Sequence, residues 1–231
     1  MRVLLVVSFT LLLFNCEDKQ RSKKNDTTII KDSVITKTEP KKAQKPKYPK
    51  LTDANAMDFF FNYEKEHNEN KVRITTAFGA IDILLYNKTK FHRANFIYLT
   101  KQNYFNGTQF YRVVKNFVIQ GGNSDDYNIA KRRSKIGNYL LPPDTKRGYT
   151  HKRGALSMPS SEIENAYKLA SPYQFFIIQR KGGASYLDND YTVFGEVIKG
   201  MDVVDKINAV ATDTGDWPIR NVYIKSVEII E

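Results

Sequence analysis

Between residues 71 and 230 the chain breaks into eight short runs of strand character, and this series constrains the fold more than any other feature. The runs cover 71–78, 80–86, 109–115, 117–120, 154–158, 174–179, 192–198 and 221–230. They are rich in β-branched and aromatic residues and are bounded by turn formers. The first two alternate with period two and meet at Gly79, so they predict a hairpin. Short strands in such number leave many unpaired edges unless the sheet closes on itself, which favours a closed antiparallel barrel. Helical spacing appears at 91–104, where Ala94, Ile97, Tyr98 and Lys101 share a face, and at 201–207. A further helix is expected within 52–69, with Asp53 as its cap and Met57, Phe60 and Phe61 apolar. The expected fold is mainly β: an eight-stranded antiparallel barrel capped by two helices, with an extra N-terminal helix.

The composition allows such a barrel a real core. The 231 residues include 14 Phe, 14 Tyr and one Trp, far more aromatic surface than a disordered chain carries. One cysteine excludes an internal disulfide and a Cys-rich zinc site, and His67, His92 and His151 are too far apart for a local ligand pair. The net charge of +11 is unevenly spread, because residues 17–50 hold 11 Lys or Arg against 5 Asp or Glu. The remainder of the chain is therefore only mildly basic. Its clusters at Lys131-Arg132-Arg133 and at Lys146-Arg147 read as solvated surface in a long loop, and a nucleic-acid partner is not expected.

The N-terminal part divides into two segments. Residues 3–14 form an apolar run broken only by Ser8 and Thr10, too short to span a bilayer and followed by Asn15, Cys16 and charged residues. These are the parts of an export signal, and LFNC at 13–16 resembles a bacterial lipobox, with Cys16 as the lipidated residue. Acyl chains on that cysteine would anchor the protein to a membrane of the cell envelope. Residues 17–50 are polar and lysine-rich with Pro40, Pro46 and Pro49, and read as a flexible tether. The expected organisation is a signal over 1–16, a tether over 17–50, a helix within 51–70 and a folded domain over 71–231.

No nucleophile elbow, paired-histidine helix or phosphate loop is present, so hydrolase and kinase chemistry fall away. Gly121-Gly122 and Gly182-Gly183 read as turns, as does the stretch holding Asp188 and Asp190. Period-two alternation places Phe110, Arg112 and Val114 on one strand face, and Gln174 with Phe176 on one face of another. An arginine among aromatics on a strand either stacks on a ring or points into an apolar cleft, where its five donors reach a ligand. Four blocks then occur in order: YFNGTQFYRVVKNFVIQGGN at 104–123, GALSM at 154–158, QFFI at 174–177 and LDNDYTVFG at 187–195. In order and spacing they resemble the cyclophilin-type peptidyl-prolyl cis-trans isomerases, over essentially all of residues 71–231.

The resemblance implies an isomerase of peptide bonds preceding proline, and with the export signal the expected clients are exported proline-containing polypeptides. It assigns to Arg112 the hydrogen bond to the prolyl nitrogen and to Gln120 the orientation of the guanidinium and substrate. Phe117, Val118, Phe176, Leu187 and Tyr191 would wall the proline pocket, with Gln174 and Ser160 also at the substrate. No cofactor or metal is required, and a monomer is expected. The chain departs from the family pattern at Tyr111, Val118, Tyr186 and Tyr191, in an insertion over 161–173, and at Pro159, which removes a backbone donor beside the groove. Those last two features leave a second expectation: the same groove holding proline segments as a chaperone or scaffold with little turnover.

Overall fold

The computed structural model describes residues 48–160 and 165–231, so the expected signal, Cys16 and most of the expected tether lie outside the described residues. Among the described residues ten strands run in chain order as β1 (Leu51–Thr52), β2 (Lys71–Thr76), β3 (Gly79–Leu85), β4 (Gln109–Val114), β5 (Val118–Asn123), β6 (Gly137–Asn138), β7 (Ala155–Met158), β8 (Phe175–Ile178), β9 (Thr192–Lys199) and β10 (Val222–Ile229). The α-helices are α1 (Ala56–Glu66), α2 (Lys90–Lys101), α3 (Tyr127–Ile136) and α4 (Met201–Asn208). Eight strands close a barrel in the order β10-β2-β3-β9-β7-β8-β5-β4, every pair antiparallel. The expected barrel and all eight of its strands are present.

Aromatic rings pack among the aliphatic side chains of the barrel core. Phe175 packs against Phe96, Phe105 and Phe110 with ring centroids 5.6, 5.7 and 5.9 Å apart, the edge-on geometry that ring quadrupoles favour. Phe96 comes from α2, whose residues from His92 to Thr100 are all buried. Outside α2 lies α1, whose Phe59, Phe60 and Tyr63 meet Tyr98 edge-on at 5.1, 5.9 and 5.4 Å. The N-terminal helix thus shares one continuous core with the barrel.

Several expectations need correction. The helix is shorter than 52–69: residues 51–52 pair in parallel with β6, and the helix cap is Asn55. Asp53 instead accepts from the Leu140 backbone N–H at 2.8 Å, tying the segment to the far side of α3. The basic cluster at 131–133 lies on α3 and not in a loop; Asp126 caps that helix by accepting from Asn128 N–H. Arg133 sits 4.7 Å from the Tyr173 ring, so part of the cluster is used in packing. Gly121-Gly122 lies inside β5 and is no turn. At Gly122, with φ of +97°, a Cβ would come within 2.3 Å of the Tyr173 carbonyl oxygen. The glycine therefore lets two backbones approach where no side chain fits.

Alternation along β4 also fails. The pairing of β4 with β5 shifts register between Phe110 and Arg112. Phe110 and Val113 are buried inside the barrel, while Arg112 and Val114 face outward. One extra residue resets the parity of a strand.

Candidate active site

The three neighbouring strands β4, β5 and β8 build one wall of the site on the outside of the barrel. Arg112 lies opposite Gln120, and Gln120 lies opposite Phe176 in the ladder. Residues in register on adjacent strands project together, so the guanidinium, the amide and the ring form a row. Around it Phe117, Val118, Pro159, Leu187 and Tyr191 complete a pocket of about 120 Å³. Seven of the residues expected at the site meet there. Gln174 and Ser160 do not line the pocket: Ser160 bridges to Ala170 instead, and the Gln174 Oε1 accepts from the Tyr111 hydroxyl at 2.9 Å.

Gln120 does not hold the guanidinium. Its amide donates to the Tyr111 hydroxyl, giving a chain from Gln120 through Tyr111 to Gln174. Arg112 is bonded instead to Asp216, Nη2 donating to Oδ2 at 3.1 Å. Asp216 follows a polar turn far along the chain, and no local pattern marks it.

Behind Phe176 lies a second feature absent from the expectations. His151 stacks on the Phe176 ring at 5.8 Å and an interplanar angle of 9°. Its Nδ1 is 2.7 Å from Asp188 Oδ1 and its Nε2 is 3.0 Å from Ser157 Oγ. Burial pulls the imidazole pKa down, opposed by the Asp188 carboxylate. An Asp–His–Ser row invites comparison with a hydrolytic triad, but Ser157 is fully buried and its hydroxyl proton goes to the Thr192 carbonyl at 2.8 Å. A substrate carbonyl cannot reach such an oxygen. The row supports the back of the pocket. Asp188 does sit in a turn, as expected, and from there also accepts from the His151 backbone N–H at 2.7 Å. Among the described residues no group of three or more His, Cys, Asp or Glu is placed to hold a metal ion.

A barrel whose outer wall carries Arg112, Gln120 and Phe176 in one row can be compared with known proteins. The profile described as "Cyclophilin type peptidyl-prolyl cis-trans isomerase/CLD" matches residues 71–229. The chain belongs to the cyclophilin family. Relatives include a peptidyl-prolyl cis-trans isomerase of Acinetobacter baylyi, 37% identical over 166 residues, covering 68% of this chain and 84% of that protein. A peptidyl-prolyl cis-trans isomerase-like 2 of Rhizopus delemar is 35% identical over 171 residues, 73% of this chain but only 30% of that longer protein. Among solved structures, a Cryptosporidium parvum cyclophilin superposes with a TM-score of 0.58 at 25% identity, covering 71% of this chain and 98% of that one. The same Cryptosporidium protein was also solved in the presence of the dipeptide Ala-Pro, at a TM-score of 0.57 and 26% identity, covering 70% of this chain and 99% of that one. The family match begins at residue 71, after α1.

Proposed function

We propose that this cyclophilin isomerises peptide bonds preceding proline, with Arg112 as the catalytic residue. The observation that supports this most is the row of Arg112, Gln120 and Phe176 over a small apolar pocket. Rotation about the bond faces a barrier of about 20 kcal/mol because amide resonance gives it double-bond character. Phe117, Val118, Phe176, Leu187 and Tyr191 hold the pyrrolidine ring. The guanidinium then donates to the prolyl nitrogen, drawing its lone pair out of resonance as the bond twists. Each 1.4 kcal/mol removed speeds the step about tenfold. No covalent bond forms or breaks, so the chemistry needs neither cofactor nor metal.

The measurement is protease-coupled isomerisation of a proline peptide by the full chain. Arg112→Ala is expected to lose at least tenfold in kcat/KM, and Arg112→Lys to fail as well, because a point ammonium lacks the planar donor fork. Equal turnover by wild type and Arg112→Ala removes the assignment.

A second reading, a binder with little turnover, is favoured by the groove edge. Pro159 lines the pocket without an N–H, and its carbonyl already accepts from Ser171 N–H at 2.8 Å. A strand of substrate finds fewer backbone partners there. Tight binding of a proline peptide with unchanged cis–trans exchange would select this reading.

The clients we propose are exported polypeptides, met from a lipid anchor on Cys16 in a bacterial envelope; the apolar run at 3–14 before Cys16 supports this. Cys16→Ser is expected to release the protein from the membrane fraction. A signal-cleaved Cys16→Ser protein that still sediments with membranes overturns the anchor.

A further inference from the structure

Arg112 needs a partner that fixes its direction, because a long cation at a pocket mouth loses rotamer entropy whenever it is held for a ligand. Gln120 is engaged with Tyr111, and Asp216 holds the guanidinium. The pair is half exposed, with side chains 41% and 38% accessible, and such pairs add little to folding stability. Its placement is nevertheless built. The Asp213 side chain accepts from Gly215 and Trp217 N–H, both at 2.9 Å, and the Asp213 backbone N–H donates to the Trp217 carbonyl at 2.9 Å. Asp216 itself sits at φ +64°, a left-handed conformation that aspartate tolerates better than most residues. The Val113 N–H donates to the Asp216 carbonyl at 2.8 Å, stapling the loop to β4 one residue from Arg112. Trp217 packs 5.9 Å from the Tyr111 ring, so the loop also touches the residue that occupies Gln120.

We propose that Asp216 is the positioning residue for Arg112 in isomerisation, holding one guanidinium nitrogen so that the remaining donors stay over the proline pocket. This rests on the isomerase reading. The arrangement divides the labour: Gln120 is hydrogen-bonded to Tyr111, which donates to Gln174, and the Asp216 carboxylate steers the cation.

The backbone conformation at residue 216 selects the variants. Asparagine and glycine both accept a left-handed φ, whereas alanine would add strain. Asp216→Asn removes the charge and Asp216→Gly removes the side chain. In full-length protein both are expected to lower kcat about tenfold with KM changed less than threefold and the melting temperature unmoved. The side-chain NMR resonances of Arg112 should shift and broaden in both variants while the backbone amides of β4 stay in place. Wild-type kcat in both variants, beside an inactive Arg112→Ala, overturns the proposal. So does a rise in kcat, which would make Asp216 a competitor for the guanidinium, or a loss of activity accompanied by a lowered melting temperature. A wild type without turnover instead overturns the isomerase reading, and the two failures are told apart by that control.

Discussion

Phe175 and Phe176 are neighbours on β8 and belong to different parts of the molecule. Phe175 points into the barrel and meets three other phenylalanines. Phe176 points out and joins a small cluster with Val118, Ala155, Ile178, Ala184 and Val193, fringed by Phe117, Leu187 and Tyr191. The inner face is sealed and stabilises the fold. The outer face packs a second, smaller buried cluster and opens only at the pocket, with a guanidinium and a carboxylate at its rim, where we place the proposed substrate site. Two layers of one sheet can therefore carry stability and function nearly independently, because adjacent strand residues project to opposite sides.

The largest expected break is on the inner side. Phe175→Ala should cost about 4 kcal/mol of folding free energy, since it removes a ring and leaves a closed cavity; denaturant unfolding measures it. Next comes acid. His92 is fully buried in α2 with both ring nitrogens unpartnered among the described residues, and burial pushes its pKa down to about 4, opposed by Asp144. Below an unfolded value of about 6.5 the unfolded chain binds the proton and the folded one does not, so stability falls with pH from there to about 4. The loss is about 3 kcal/mol at most. His92→Leu should flatten that slope, and an unchanged slope would refute the assignment.

On the outer side, Phe176→Ala should cost about 2 kcal/mol, the transfer term alone, because water enters an open pocket rather than leaving a void. Turnover should nonetheless fall at least tenfold. Smallest of all, Arg112→Ala should change stability by less than about 0.5 kcal/mol while removing activity. A large stability loss in Arg112→Ala would erase the contrast between the two faces.

How much of this was legible in advance differs by residue. The strands of the barrel were, because alternation and β-branching act locally. Arg112, Phe117, Val118, Gln120, Phe176, Leu187 and Tyr191 were legible through motif order and do line one pocket. The inward turn of Phe110 was not, because a bulge in β4 is decided by its pairing with β5. Helix α3 was hidden by charge: Lys131, Arg132, Arg133 and Lys135 mask the two buried positions, Ile129 and Ile136, that seat it.

By itself the sequence determined the barrel, the helix before it and seven of the residues that line the pocket, since each rests on patterns within a few residues or on blocks in fixed order. Only the tertiary structure decided which groups touch. Arg112 and Asp216 are 104 positions apart, and His151 reaches Asp188 across 37. Those pairings follow from closure of the barrel, which sets distant loops on adjacent strand ends, and no local propensity encodes them.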